Sequence, residues 1–316
     1  MLKQPTIIEI REAHARIRPH INYTPVLTCS TINQICNTDV YFKCENFQKV
    51  GAFKIRGATN AVFCIGGKDI QKGVATHSSG NHAAALAFAA GKRGAKAYIV
   101  MPRTAPKAKK QAVSGYGGII TYCEPTLKAR ESALKDVVKN TGACYIPSYN
   151  DPRIIEGQGT AALELLNDIP ELDTIIAPVG GGGLLSGTAI TSSFISPETK
   201  VIGAEPEMAD DAYRSFKSGK LIPSENPGTI ADGLLTPLGS LTFQIIRKNV
   251  HDIVTIKEDE IIKAMRFIWE RMKIIIEPSS AVAVAALLFG HIKSPGKKVG
   301  IILSGGNVDL DKLPWK

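Results

Sequence analysis

Short apolar runs rich in β-branched residues alternate with helical patterns along most of this 316-residue chain. The runs predict strands at residues 39–45, 73–78, 96–102, 118–123, 143–149, 174–180, 200–206, 252–256 and 298–306. Apolar residues at helical spacing predict helices at 81–94, 106–115, 126–141, 158–168, 184–195, 210–219, 257–272 and 279–290. This alternation is typical of βαβ units, so it predicts an α/β fold of mostly parallel sheets flanked by helices.

The alternation is uninterrupted in one part of the chain and broken elsewhere by a proline-rich segment at 222–239, which predicts a loop. We therefore expect two lobes, each with a mostly parallel sheet flanked by helices. Residues 71–150 form the smaller and continuous lobe. Residues 1–70 and 151–316 together form the larger, discontinuous lobe.

The charge and cysteine content narrow the class of protein. The net charge of +9 is spread along the chain without interleaved aromatic residues, which argues against a nucleic-acid partner and suits small anionic ligands. The six cysteines contain no C-x-x-C pair, so we expect reduced thiols in a cytoplasmic protein. No apolar run is long enough to cross a membrane, and no signal peptide is expected.

Four consecutive glycines, Gly180, Gly181, Gly182 and Gly183, stand between a predicted strand and a predicted helix in "PVGGGGLLSG". Such a backbone can approach an anion with bare N–H groups at the positive end of a helix. The run lacks the Gly-Lys-Ser/Thr of a Walker loop and the spacing of a dinucleotide fingerprint. It predicts a phosphate-binding loop, although a tight strand–helix turn is the simpler alternative.

A lysine stands between apolar neighbours in "GAFKIRG", where Phe53 and Ile55 flank Lys54. A buried ammonium group is unfavourable unless it is paired or made neutral. A desolvated lysine has a lowered pKa and can form a Schiff base with an aldehyde. A lysine that simply extends to water explains the heptapeptide equally well, so both interpretations stay open here.

Two further polar segments end predicted strands. In "THSSGNH", residues Ser78, Ser79, Gly80 and Asn81 precede a helix, where exposed amides could hold a carboxylate or simply cap the helix. In "LSGG", Ser304 ends a buried strand, a place where open α/β sheets bind ligands. Each alone is also explained as an ordinary cap or turn.

Taken together, "CENFQKVGAFKIRGATNA", "SSGNHAAAL", "GGGGLLSG", "EPEMADD", "TIADG" and "LSGGNVDL" resemble the serine racemase and serine/threonine dehydratase family. The resemblance runs in order from about residue 5 to 310. It implies a fold type II enzyme of the tryptophan-synthase β type that depends on pyridoxal 5′-phosphate. It also implies that the larger lobe binds this cofactor and that the smaller lobe is mobile and binds the substrate.

The resemblance implies a role for each motif residue. Lys54 holds the cofactor as an aldimine and acts as the base at Cα, and Phe53 packs by the cofactor ring. Asn81 bonds the 3′-oxygen, Ser304 faces the pyridine nitrogen, and the four glycines bind the phosphate. The substrate carboxylate is held by the segment from Ser78 through Ser79 and Gly80 to Asn81, together with Asn150.

The segment "EPEMADD" matches the family's divalent-cation site through Glu205, the carbonyl of Ala209, and Asp211. Oxygen ligands of this kind suit Mg²⁺ or Ca²⁺, with Mn²⁺ as an alternative ion. An acid-rich helix start, favoured by the helix dipole, is the simpler explanation of the same residues.

The choice between racemase and dehydratase depends on Ser79. Both reactions begin when Lys54 removes the Cα proton, but racemisation needs a second acid/base group on the opposite face. Family dehydratases devoted to threonine usually read "SAGNH", whereas this chain reads "SSGNH". The serine favours a serine racemase that also eliminates serine to pyruvate and ammonia. A serine, threonine or threo-3-hydroxyaspartate ammonia-lyase with little racemisation is the alternative.

The resemblance carries further expectations about partners and regulation. It implies a homodimer that acts on a small amino acid, with ATP as a candidate effector near Lys49 in "FQK". The chain ends soon after "LSGGNVDL", so an isoleucine-sensing domain is not expected. A Rossmann-type nucleotide-binding protein and a catalytically silent protein of the same fold are the rival classes. The glycine spacing argues against the first, and Lys54 argues against the second.

Overall fold

The computed structural model describes residues 3–105 and 107–315, and ten strands in this part of the chain form two sheets. The strands are β1 (Val26–Leu27), β2 (Asp39–Cys44), β3 (Val74–His77), β4 (Ala97–Pro102), β5 (Gly118–Cys123), β6 (Cys144–Tyr145), β7 (Thr174–Pro178), β8 (Lys200–Pro206), β9 (Asp252–Ile256) and β10 (Lys298–Leu303). One sheet has the order β1-β2-β10-β7-β8-β9, and its β1–β2 pair is antiparallel. The other, β5-β4-β3-β6, is parallel. The predicted α/β class with mostly parallel sheets is confirmed.

Helices flank both sheets. They are α1 (Ile7–Ile17), α2 (Ser30–Cys36), α3 (Lys54–Phe63), α4 (Gly67–Ile70), α5 (Asn81–Lys92), α6 (Lys107–Gly115), α7 (Leu127–Thr141), α8 (Pro152–Asp168), α9 (Gly183–Ile195), α10 (Asp211–Ser218), α11 (Ser240–Asn249), α12 (Glu258–Met272) and α13 (Pro278–Leu288). None of the helices in the described ranges is long and apolar enough to span a membrane. All six cysteines are free thiols.

Each sheet is covered on both faces. In β10, Val299, Ile301 and Leu303 pack with α12 and α13, whereas Ile302 packs on the other face with α8 and α9. Successive side chains of a strand point to opposite faces, so a continuous apolar strand needs helices on both sides. The smaller sheet follows the same rule, with α3 and α5 on one face and α7 on the other.

Helices α3, α8 and α9 pack with their backbones in near contact. A Cβ atom on Gly157 of α8 would lie 2.5 Å from the Cα of Gly57 in α3. A Cβ atom on Gly187 of α9 would lie 2.5 Å from the backbone nitrogen of Gly159 in α8. No side chain fits at these two crossings, so glycine is required there for the helices to approach as they do.

A buried ion network joins α3 to β2 and α8. The guanidinium of Arg56 donates to Glu45 at 2.7 and 2.8 Å and to Glu164 at 2.8 and 2.7 Å. The ammonium of Lys43 lies 2.8 Å from Glu164, and all four side chains are buried. Burial alone would raise the pKa of Glu164, but hydrogen bonds from His14 and Arg56 hold it below its usual range.

Most predicted elements differ from the structure by at most three residues at an end, and two differ by more. Strand β6 ends at Tyr145 rather than at residue 149, because Pro147 has no N–H group to donate to a neighbouring strand. Helix α8 begins at Pro152 rather than at residue 158, because the side chain of Asp151 caps it by accepting the N–H of Arg153 at 2.9 Å. Helices α1, α2, α3, α4 and α11 lie in segments for which no helix was predicted.

Candidate active site

The segment that carries Lys54 is fixed at the carboxyl end of β10. The backbone N–H of Phe53 donates to the carbonyl of Ser304 at 3.0 Å, and Ala52 forms a bridge with Gly305. Lys54 is the first residue of α3, and Ser304 is buried. Two motifs that lie 250 positions apart in the sequence, at Lys54 and Ser304, therefore meet at one edge of the larger sheet.

The amine of Lys54 lies in a polar but poorly solvated setting. It donates to the carbonyl of Ser148 at 3.0 Å and lies 5.1 Å from the centre of the Phe53 ring. Burial lowers its pKa from 10.5 to about 8, although the nearby Glu277 carboxylate opposes the shift. A sizeable fraction of the amine is therefore neutral near physiological pH, as a nucleophile or base requires.

The four glycines form a buried loop between β7 and α9. Gly182 has φ of +86°, and the carbonyl of Gly181 accepts the hydroxyl hydrogen of Thr242 at 2.8 Å. A Cβ on Gly181 would lie 2.3 Å from the ring of Tyr149, so the loop has no room for side chains. The N–H groups of residues 180–183 donate to no other described residue. Such clustered free donors at a helix N-terminus suit a phosphate.

The segment from Ser78 to Asn81 forms the turn between β3 and α5. The N–H of Gly80 donates to the Ser78 hydroxyl at 3.3 Å, and α5 begins at Asn81. The hydroxyl of Ser79 has no hydrogen-bond partner among the described residues and is half-buried. This turn contains free donors at a helix N-terminus, which is the chemistry that binds a carboxylate.

We call the region between Lys54, Ser304, the glycine loop and the turn from Ser78 to Asn81 the cleft, and the link between β6 and α8 connects several of its parts. The carbonyl of Ser148 accepts the Lys54 hydrogen bond, and the ring of Tyr149 packs on Gly181. The side-chain oxygen of Asn150 accepts the N–H of Leu241 at 3.0 Å, so Asn150 caps α11. Lys54, the glycine loop and the start of α11 are thus held by three consecutive residues, and no sequence motif identified Ser148 or Tyr149.

Sequence reasoning also missed two buried titratable groups beside the cleft. Glu277 precedes α13, and burial raises its pKa to about 7, with a further contribution from Asp232. His82 follows Asn81; burial and the charge of Lys54 lower its pKa to about 3. The isolated acid in the apolar run "IIIEPSSA" was the available signal for Glu277.

The acids of "EPEMADD" come together as two buried carboxylates. Glu205 accepts the N–H groups of Ala212 at 2.9 Å and Tyr213 at 2.7 Å, whereas the oxygens of Asp211 have no partner of good hydrogen-bond geometry among the described residues, with the Ser224 hydroxyl nearby. Burial raises the pKa of both carboxyls. Ala209 lies in the turn between them. The described residues contain no cluster of three or more His, Cys, Asp or Glu side chains suited to a metal.

A cavity of about 490 Å³ lies beside the cleft and is lined in part by Asn81, Lys109, Tyr116 and Asn307. Lys54 and the glycine loop do not line it, whereas Gly80 and Asn81 of the turn before α5 do. Lys49 does not line it either, and its ammonium donates to the carbonyl of His20 at 2.9 Å.

Comparison with known proteins identifies the family. The family model for pyridoxal-phosphate dependent enzymes matches residues 17–305. The β-hydroxyaspartate dehydratase of Paracoccus denitrificans is 53% identical over 98% of this chain and 99% of its own length. The serine racemase of Dictyostelium discoideum is 52% identical over 98% of this chain and 96% of its own length. Maize serine racemase has a structure with a TM-score of 0.96, 45% identity, and coverage of 98% of this chain and 95% of its own. The chain belongs to the family of pyridoxal-phosphate dependent enzymes, and the predicted fold type II class is confirmed.

The residues of the cleft fit pyridoxal phosphate on chemical grounds. The amine of Lys54 is partly neutral, which an aldehyde requires of its partner. The glycine loop offers several uncommitted N–H donors that a phosphate dianion can occupy. An aldehyde partner and a phosphate site in one cleft are the two groups that this cofactor needs.

Proposed function

We propose that the protein is a serine racemase, which interconverts L- and D-serine with pyridoxal 5′-phosphate and also eliminates serine to pyruvate and ammonia. The observation that carries the proposal is that one short link contacts both the Lys54 amine, with its lowered pKa, and the glycine loop. The similarity to serine racemases over nearly the whole chain supports it.

Each cleft residue has a role in this proposal. When bound, pyridoxal phosphate supplies an electron sink that acidifies the Cα–H bond of the amino acid. Lys54 would hold the cofactor and then move the Cα proton on one face. The glycine loop would bind the phosphate, Asn81 the 3′-oxygen, and Ser304 the pyridine nitrogen, with Phe53 beside the ring. A neutral serine hydroxyl in place of a carboxylate leaves a weaker electron sink, which suits loss of a β-hydroxyl group.

The substrate is held and reprotonated by the smaller lobe. The turn from Ser78 to Asn81, with Asn150, would bind the substrate carboxylate. Ser79 would carry the proton on the face opposite Lys54. Serine hydroxyls are weak acids in water, so the deprotonated form of Ser79 needs stabilisation. The positive N-terminal end of α5 would provide it. We further propose that residues 71–150 move as a substrate-binding domain on a cofactor domain made of residues 1–70 and 151–316.

The variant Ser79→Ala tests the racemase proposal. Formation of D-serine from L-serine should fall about a hundredfold or more, the usual contribution of a positioned acid/base group. Formation of pyruvate from L-serine needs only the Lys54 face and should persist. Both products are measured together on each enantiomer, with Ser78→Ala as the control that weakens binding without changing the product ratio. An equal loss of both products would make Ser79 a binding residue and the enzyme a dehydratase.

A second function is favoured by the relative that acts as a β-hydroxyaspartate dehydratase. The Nε atom of Arg130 is buried without a partner among the described residues. Burial lowers the pKa of His77, beside the substrate turn, and the charge of Arg130 adds to the shift. A substrate with a second carboxylate could pair with this guanidinium. The same assay distinguishes the two functions, since threo-3-hydroxyaspartate would then be consumed much faster than serine.

Several finer points belong to the proposal. Glu205, the Ala209 carbonyl and Asp211 would bind Mg²⁺ or Ca²⁺, or Mn²⁺ in their place, and the unpartnered oxygens of Asp211 support this. The enzyme would act in the cytoplasm as a homodimer on free amino acids. ATP would act as an effector near Lys49, although that ammonium already has a partner in His20.

A further inference from the structure

The side-chain amide of Asn81 is held in one orientation by two partners. Its nitrogen donates to both oxygens of Glu277, at 2.9 and 3.2 Å. Its oxygen accepts from the amide nitrogen of Asn307 at 2.9 Å. A reversed amide would place its oxygen against a carboxylate and its nitrogen against another donor, so these contacts exclude the reversed form.

Glu277 is well placed to act as this fixed acceptor. It is buried, with 3% of its surface exposed, and it also accepts the backbone N–H of Asn307 at 3.1 Å. Its own backbone N–H donates to the carbonyl of Gly305 at 3.0 Å, next to Ser304. Glu277 is therefore hydrogen-bonded to the residues that follow β10, where the Lys54 segment is also held.

The charges around Glu277 come from several elements. Lys54 of α3 and Lys109 of α6 are the cations whose charges interact with it, and Asp232 is the neighbouring acid. Burial raises the pKa of Glu277 to about 7, so its charge is present above this pH and declines below it. Asn81 is then held best when Glu277 is ionised.

We infer that Glu277 is a positioning residue of the cofactor cleft, which acts by orienting the amide of Asn81. The inference rests on the proposed function, since Asn81 would there bind the 3′-oxygen of the cofactor. The Asn81 nitrogen carries two hydrogens that diverge in the amide plane, so the two oxygens of one carboxylate share one of them. The second hydrogen is then left for a ligand, whereas a reversed amide would present an oxygen.

The test is a double-mutant cycle on the full-length holoenzyme. The dissociation constant of pyridoxal phosphate is measured by following its visible absorbance through a dilution series. Glu277→Gln should weaken binding about tenfold, the weight of one hydrogen bond to a charged group. Asn81→Ala should also weaken it, and the double variant should be no weaker than Asn81→Ala alone.

The control is Glu156→Gln, because Glu156 also accepts an asparagine amide, from Asn60 at 3.0 Å, and burial also raises its pKa. It lies on α8 outside the cleft, so cofactor binding should not change. If Glu277→Gln fails to fold, Asn307→Ala removes the other partner of Asn81 and should give the same non-additive loss.

The outcomes separate the inference from the proposed function. Additive losses, or a Glu277→Gln effect equal to that of the control, would overturn the positioning role while leaving the enzyme class intact. Borohydride should fix the cofactor on the peptide that contains Lys54 in the wild type. Absence of any bound cofactor there would overturn the proposed function and the inference together.

Discussion

At the scale of single residues, the chemistry of Lys54 is set by groups that are distant in the sequence. The carbonyl of Ser148 accepts its hydrogen bond, and the charge of Glu277 partly offsets the effect of burial on its pKa. Neither contact belongs to the heptapeptide that identified the lysine. The motif indicated that Lys54 could be a reactive amine, whereas the ionisation of that amine depends on the folded environment.

The lowered pKa of Lys54 makes stability depend on pH in a defined direction. Between about pH 8 and pH 10.5 the unfolded chain holds this proton more tightly than the folded chain. The free energy of unfolding contributed by this group therefore rises with pH across that window. Below about pH 8 the full penalty of a buried ammonium remains. We expect cofactor-free Lys54→Met to be more stable than wild type at pH 7, with the difference shrinking toward pH 10.5.

Urea unfolding of both proteins at a series of pH values measures this difference. Lys263→Met is a suitable control, because Lys263 is exposed in α12 and pairs with Asp259. A difference between wild type and Lys54→Met that stays constant from pH 7 to pH 10.5 would contradict the shifted pKa.

The motifs predicted which residues lie in the cleft better than they predicted how those residues are held. Lys54, the glycine loop and Ser304 were identified because each motif has unusual local chemistry. Glu277 and Tyr149 were not identified, because an isolated acid or tyrosine is ordinary in a sequence and gains meaning only from its neighbours in space. The roles assigned to individual residues stay predictions until variants are measured.

At the scale of elements, α3 is held by charge as well as by apolar packing. Arg56 is two positions after Lys54 on the same helix, and its guanidinium joins the helix to Glu45 and Glu164. Removing one partner of a buried network leaves the others without compensation. The orientation of α3, which carries Lys54, and the stability of the fold therefore depend on the same side chain.

Arg56→Met should destabilise the protein by about 3–5 kcal/mol, because it leaves buried carboxylates unpaired. Urea denaturation at neutral pH measures the loss. Arg266→Met is the matched control, since Arg266 pairs with Glu270 on the exposed face of α12 and its loss should leave the midpoint unchanged. Similar midpoints for the two variants would show that the buried network contributes little.

The boundaries of a strand or helix were predictable where a single hydrophobic period extended over the whole element. Strands β8 and β9 have the predicted bounds, because their apolar runs end at clear breaks. Helix α8 was predicted too short, since Gly157 and Gly159 weaken a helical pattern that tertiary contacts nevertheless require. Periodicity reports local burial and contains no information about close approach to another helix.

At the scale of the whole molecule, the two sheets are joined by the link that carries Ser148 to Asn150. The cleft lies where this link crosses between them, so it belongs to neither sheet alone. Glu205 on β8 and Asp211 at the start of α10 belong to the larger sheet and its flanking helices, and they follow the glycine loop in the sequence. An ion bound there would stabilise the fold that presents the cleft without entering it.

We expect Mg²⁺ or Ca²⁺ to raise the melting temperature of the wild type. An ion at about a hundred times its dissociation constant adds about 2.7 kcal/mol to the free energy of unfolding. Asp211→Asn should abolish the rise, whereas Asp210→Asn should preserve it, because Asp210 pairs with Arg214 and is partly exposed. Scanning calorimetry with a chelator and with added ion measures both. The same response in the two variants would leave these acids as a helix start only.

The glycine crossings of α3, α8 and α9 bear on how such a sequence changes over generations. A side chain at Gly57, Gly157, Gly159 or Gly187 would meet backbone atoms, which cannot rotate away. Accommodating it means moving a helix, and α3 carries Lys54 at its first position. The position of the Lys54 amine therefore depends on glycine at all four positions. These helices are buried over most of their length, so mutational drift can change their other side chains only while the inherited spacing between their axes persists.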